Sequence, residues 1–167
     1  TQVIRFRQAF HGRSGYALSL TNTFDARKTK FFPKFGWPLV INPKITFPLD
    51  QRNLERVKML EHEALREIDE IIDREGDDIA AVIIEPIQGE GGDNHFRAEF
   101  FQELRRICDE NDILFILDEV QTGLGLTGKF WAYEHFGVRP DILAFGKKTQ
   151  VCGILASMRI DEVDNNV

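Results

Sequence analysis

The sequence predicts an α/β fold, a mostly parallel sheet with helices on both faces. Three observations predict it. The runs IAAVIIEP (79–86) and ILFILDEV (113–120) are continuously apolar up to their closing carboxylates rather than alternating, as in strands buried on both sides. Other stretches carry apolar residues three and four apart, the spacing of an amphipathic helix. The two patterns alternate along the chain, as parallel crossover connections require.

Taken in order, VIRF (3–6) is a short β-branched run that reads as a strand, ended by the turn-forming AFHGRSG. GYALSLTN (15–22) opens a helix. Residues 23–50 are rich in Lys, Phe and Pro. With Phe31, Phe32, Phe35 and Trp37 they read as a long ordered loop, because a disordered linker is poor in aromatics. A helix is predicted over 51–74, with Leu54, Val57, Leu60, Ala64, Leu65, Ile68, Ile71 and Ile72 on its apolar side. The glutamates of 61–75 read as its solvated face, and Glu75-Gly76 as its stop. After the strand 79–86, RAEFFQELRRICDEN (97–111) is a second amphipathic helix, with Phe100, Phe101, Leu104, Ile107 and Cys108 on one side. The strand 113–120 follows, then KFWAYEHFG (129–137) as a short helix. DILAFGK (141–147) and GILASMRI (153–160) read as further strands.

Composition narrows the function classes. A chain of 167 residues can bury the core of one domain. A net charge of -6 argues against non-specific binding to nucleic acid or to an anionic membrane. No apolar run approaches the roughly 20 residues of a membrane helix. TQVIRFRQAF lacks the cationic head and apolar core of a signal peptide. Cys108 and Cys152 have no metal-ligand spacing and read as reduced thiols of a cytoplasmic protein. The chain starts without Met and stops at DNNV, so it is expected to be a fragment of a longer protein.

The chemistry collects where strands end. In open α/β sheets ligands bind beyond the carboxyl ends of the strands. Phe10, His11, Gly12 and Arg13 follow VIRF. Glu85, Gln88, Gly89, Glu90, Gly91 and Gly92 follow AAVII. Asp118, Glu119, Gln121 and Gly123 follow ILFIL, and Gly146, Lys147 and Lys148 follow DILAF. Each has a plainer reading: Asp118 as a helix cap, His11 as a structural hydrogen-bonder, GEGG as a turn, the lysines as a solvated pair. Asp118 and Glu119 nevertheless close an apolar strand, and charges there are costly unless something cationic meets them. A lysine at a partly buried site loses basicity, becomes a usable nucleophile and condenses with aldehydes. Pyridoxal phosphate (PLP) brings both an aldehyde and a ring nitrogen that wants a carboxylate. Phe10 is placed to stack on such a ring.

The stretches FHGRSG, IIEPIQGEGG, LDEVQTGLGLTG and PDILAFGKKTQVCG, in this order, resemble the class III (ornithine/GABA-type, fold type I) PLP-dependent aminotransferases over nearly the whole chain. GKKTQVCG departs from the glycine-rich version common in that class. With FHGRSGYALSLTNT and EGGDNHFR, it is similar to the branch acting on the ε-amine of L-lysine. The resemblance implies that Lys147 holds the cofactor and shuttles the proton, while Lys148 shapes the site. Asp118 would pair with the pyridine nitrogen, Gln121 with the ring oxygen, and Phe10, His11 and Gly12 would form the wall. Arg13 would clamp a substrate carboxylate, Glu90 would be a movable gate admitting both substrates, and Glu85 would support these groups.

The resemblance further implies ping-pong transfer from L-lysine to 2-oxoglutarate, giving 2-aminoadipate 6-semialdehyde and glutamate, by a homodimer. Complete members are more than twice this length. Residues 1–167 therefore read as the central part of the large domain, without the phosphate-binding loop and the small domain, and as inactive alone. Three other readings stay open. One is another ω-aminotransferase of the class, acting on ornithine, GABA or acetylornithine. Another is a P-loop ATPase with ILFILDE as its Walker B strand, although no G-x-x-x-x-G-K-[ST] occurs. The last is a non-catalytic fragment.

Overall fold

The computed structural model of the chain describes residues 1–162, so the closing DNNV lies outside the described residues. The strands are β1 (Gln2–Phe6), β2 (Leu39–Val40), β3 (Ile79–Ile84), β4 (Leu114–Asp118), β5 (Ile142–Phe145) and β6 (Gly153–Ala156). They form one sheet in the order β2-β1-β3-β4-β5-β6, parallel except for β6, which runs antiparallel to β5. The mostly parallel α/β architecture is as the sequence predicts. The chain moves outward from β1 to β2, then returns to place β3 on the other side of β1. The order reverses there, and this switch point opens a crevice at the carboxyl edge.

The α-helices are α1 (Gly15–Leu20), α2 (Gln51–Glu75) and α3 (Ala98–Glu110). Asp50 caps α2, its side chain accepting the Asn53 N–H at 2.9 Å. Gly76, at φ +55°, ends it in a conformation that costs glycine least. Ala64, Ile68 and Ile71 of α2 and Phe100, Phe101, Leu104, Ile107 and Cys108 of α3 pack with Ile4, Phe6, Val82, Ile84, Phe115 and Leu117 in one core. Side chains alternate along a strand, so α2 and α3 lie on the same sheet face. Ile116 and Leu114, of opposite parity, are only half-buried.

Several local expectations change. The loop 23–50 contains β2, which pairs with β1 through Arg5↔Leu39 and Phe6↔Val40. Residues 129–137 form only a 3₁₀ turn, Ala132–His135, so the β4–β5 crossover has no α-helix. GILASMRI is a strand only as far as Ala156. The glutamates of α2 are not all solvated. Glu61 is 7% exposed and faces Arg97 at 3.3 Å, and burial raises its pKa despite that partner. Glu67 accepts the Ile41 N–H at 2.8 Å and so ties the end of β2 to the helix. Among the described residues no helix is long and apolar enough to cross a membrane.

Candidate active site

Strand register sets the site. Ile84 pairs with Leu117, and both belong to the core under α2 and α3. One residue further, Glu85 and Asp118 stand level with each other on the opposite face. Asp118 in turn pairs with Ala144 of β5, so Lys147 follows three residues beyond that row. Segments after β1, β3, β4 and β5 thus meet around one cavity of about 430 Å³. Phe10, His11, Gly12, Glu85, Glu90, Asp118, Gln121 and Lys147 line it, joined by Gly89, Val120 and Cys152.

Asp118 is nearly buried and fully engaged. Its Oδ2 lies 2.8 Å from His11 Nδ1, and its Oδ1 accepts the Val120 N–H at 3.1 Å. The His11 side chain is 2% exposed, and its Nε2 is buried without a hydrogen-bond partner among the described residues. Glu85 accepts the Phe10 N–H at 2.8 Å and so fixes the aromatic wall. Its carboxyl is pushed up to about 7, chiefly by burial. The nearby His11 and the Phe10 N–H oppose that rise, while Asp118 and Glu90 add to it.

The lysines divide their work. Lys147 Nζ donates to Gln121 Oε1 at 2.7 Å, from a backbone held at positive φ (+22°). Lys148 Nζ instead donates to the carbonyl oxygens of Gln121 and Gly123, at 3.0 and 3.1 Å, and braces the turn that carries Gln121. Glu90 sits at the mouth, bonded to Lys28 Nζ and accepting from Thr23 Oγ1 at 3.3 Å. Arg13 is exposed and does not line the cavity. Its guanidinium carbon lies 5.8 Å from the centroid of the Phe10 ring.

Some residues that the sequence places at the strand ends turn out to hold the site's loops rather than to line its cavity. Glu119, 1% exposed, has its charge met by dipoles rather than by a cation. It accepts from Thr122 Oγ1 (2.8 Å), Ala132 N–H (2.9 Å) and Tyr133 N–H (2.8 Å), and so ties the loop after β4 to the 3₁₀ turn. Gln88 is fully buried, and its Oε1 accepts from Asn42 Nδ2 (2.7 Å) and Asn94 Nδ2 (2.9 Å) while its Nε2 donates to Arg7 O (3.1 Å). That amide network anchors the glycine-rich loop carrying Gly89 and Glu90. Cys152 is exposed at the cavity, unlike the buried Cys108, although both stand in apolar sequence. These loops leave the carboxyl ends of β3 and β4, and their amide and carboxylate networks show only in tertiary contacts.

Comparison with known proteins agrees with this geometry. The family model "Aminotransferase class-III" matches residues 1–164. The L-lysine-epsilon aminotransferase of Mycobacterium bovis is 56% identical over 167 residues, covering 100% of this chain and 36% of that protein. The 4-aminobutyrate aminotransferase of Emericella nidulans is 42% identical over 153 residues, 90% of this chain and 30% of that protein. A solved structure of the lysine aminotransferase from M. tuberculosis, in its internal aldimine form, superposes with a TM-score of 0.91 at 56% identity, covering 97% of this chain and 36% of that one. The chain thus spans about a third of the length of the relatives it matches. It belongs to the class III aminotransferases, a family whose cofactor is pyridoxal phosphate.

Proposed function

We propose that residues 1–167 are the central part of the large domain of an aminotransferase that moves the ε-amino group of L-lysine to 2-oxoglutarate. The observation that carries this reading is the meeting of Asp118 and Lys147 on one cavity, from adjacent parallel strands. The 56% identity to L-lysine-epsilon aminotransferases supports the donor, and the 42% identity to a 4-aminobutyrate enzyme keeps a shorter ω-amine as the second reading. A homodimer in the cytoplasm, with the phosphate and part of the substrate held by segments beyond this chain, completes the proposal.

The residues present fit the cofactor. A carboxylate, a primary amine, an amide and an aromatic ring surround a cavity within the usual range of about 300–1,000 Å³. Gly89 lets Gln121 lie against the wall, since a Cβ there would come within 2.3 Å of Gln121 Nε2. When bound, pyridoxal phosphate supplies an aldehyde that passes between amines and a ring that withdraws electrons.

This chain's residues supply the rest. Lys147 Nζ would hold the cofactor's aldehyde, and the same amine would serve as the base that moves a proton at the substrate carbon. Gln121 orients it. Asp118, held at both oxygens, presents a fixed negative charge to the ring nitrogen, and His11 keeps that carboxylate from turning away. Phe10, set by Glu85, forms the stacking wall. Arg13, beside Phe10, is the candidate clamp for a substrate carboxylate. Glu90 meets the substrate's cation at the mouth.

The test uses the full-length protein. Pyridoxal phosphate should give a yellow, covalently loaded protein that L-lysine bleaches and 2-oxoglutarate restores. Lys147→Ala should abolish the loading and Lys148→Ala should not. Bleaching by ornithine or 4-aminobutyrate but not by L-lysine overturns the donor and keeps the family. Loss of loading in Lys148→Ala alone overturns the assignment of the lysine.

A further inference from the structure

We propose that Thr21 is a positioning residue for the reaction, whose hydroxyl sets the turn Phe10–Gly12 and through it the contact of His11 with Asp118. The inference rests on the functional reading above and adds a residue to it. Thr21 is 3% exposed, closes α1 and does not line the cavity. Its Oγ1 accepts the His11 N–H at 3.0 Å and donates to the Gly12 carbonyl oxygen at 2.7 Å. A hydroxyl has one proton, and the Ala17 carbonyl oxygen, at 3.4 Å, is the poorer acceptor for it. One side-chain oxygen thus ties two successive residues of the turn. Its neighbour Asn22 holds the approach: the Asn22 Oδ1 accepts the Gln8 N–H at 2.9 Å, and the Asn22 N–H donates to the Ala9 carbonyl oxygen at 2.7 Å. Glu85 holds the residue between, through the Phe10 N–H.

The turn needs such a clamp. Residues 9–12 belong to no helix or strand, so their backbone groups have no ladder to join and side chains must meet them. Gly12, at φ +133°, brings the chain so near α1 that a Cβ there would lie 3.0 Å from the Ala17 Cβ. What the clamp fixes is the root of the His11 side chain. The ring Nδ1 lies 2.8 Å from Asp118 Oδ2, and a carboxylate can only accept, so Nδ1 carries the proton. Nε2 is buried without a hydrogen-bond partner among the described residues. A single hydrogen bond therefore orients the imidazole, and a small drift of the His11 backbone weakens it, because such bonds are steep in distance and angle. Asp118 then loses the donor that keeps its carboxylate turned toward the ring nitrogen of the cofactor. Thr21 acts through His11 and Asp118, from outside the cavity.

The experiment uses the full-length protein, with and without cofactor. In the cofactor-free protein, proton NMR shows the His11 Nδ1–H as a downfield signal, assigned by its loss in His11→Asn. Thr21→Val keeps the shape of the side chain and removes the hydroxyl. In it that proton should exchange with water about tenfold faster, and pyridoxal phosphate should bind about tenfold more weakly in an absorbance titration, the effect of about one net hydrogen bond. Thr21→Ser should restore both. Ser19→Ala is the control, because Ser19 is also buried on α1 and its Oγ accepts the Phe35 N–H at 2.9 Å, away from the turn. It should lower stability in urea unfolding as Thr21→Val does, and leave both readouts unchanged. Where Thr21→Val does not fold, Thr21→Ala takes its place in the same comparison. Readouts that stay put without the hydroxyl, move as far in Ser19→Ala, or fail to return in Thr21→Ser overturn the proposal and leave the enzyme reading intact. A wild-type protein that binds no pyridoxal phosphate overturns the functional reading, and this proposal with it.

Discussion

Glu85→Gln tests the electrostatics of the cavity through folding stability. The Glu85 side chain is buried, and its carboxyl is pushed from the ordinary 4.5 up to about 7. The unfolded chain releases this proton near the ordinary value, whereas the folded chain keeps it until about neutral pH. Between those limits the folded state binds more protons, so stability falls as pH rises, by at most about 1.4 kcal/mol per pH unit. The contribution is fully present below the unfolded value and is lost as pH rises through about 7, a total of about 3 kcal/mol. Gln matches the protonated acid in shape and still offers an oxygen to the Phe10 N–H, which Glu85 binds at 2.8 Å. It does not titrate. Urea unfolding of the cofactor-free full-length protein, wild type and variant, at steps from pH 4.5 to 8 reads the difference directly. The variant should gain on the wild type by about 3 kcal/mol over that range, most steeply between pH 5 and pH 7. A difference that stays flat with pH, or one that grows toward acid, refutes the reasoning.

Two glycines of one loop should respond differently to the same added methyl. At Gly91 a Cβ would come within 2.3 Å of the Gln8 carbonyl oxygen, so backbone must move, and Gly91→Ala should cost about 2 kcal/mol or more in urea unfolding. At Gly89 the clash is with the tip of the Gln121 side chain, so Gly89→Ala should fold nearly normally while binding pyridoxal phosphate about tenfold more weakly in a titration followed by absorbance. The thiols should separate as cleanly. Burial pushes the Cys108 thiol up to about 12, so in the native protein a thiol reagent should label Cys152 and spare Cys108, and bound cofactor should slow the labelling because Cys152 lines the same cavity. Mass spectrometry of the digested protein identifies the labelled residue.

Much of the frame can be read without coordinates. β3, β4, α2 and α3 follow from local periodicity, and their ends shift by only a residue or two, because burying a continuous apolar run or one apolar helix face satisfies neighbouring residues together. The candidate site was legible for a related reason. Parallel strands direct their carboxyl ends to one edge, so residues after each strand must assemble, and Phe10, Glu85, Asp118 and Lys147 do line one cavity. The short helix expected over 129–137 shrinks to the 3₁₀ turn Ala132–His135, because Glu119 binds the Ala132 and Tyr133 N–H groups at its start.

By itself the sequence determined the α/β alternation, the long helices and the types of chemical group at the strand ends, since these depend on near neighbours and on the two-residue and 3.6-residue periods of the backbone. Only the tertiary structure decided which groups touch. His11 meets Asp118 across 107 positions, Lys28 reaches Glu90 across 62, and Glu61 is buried against Arg97 across 36. Such pairs have no local pattern, because the distance between two side chains is fixed by strand order and register, and these emerge only when the whole core packs.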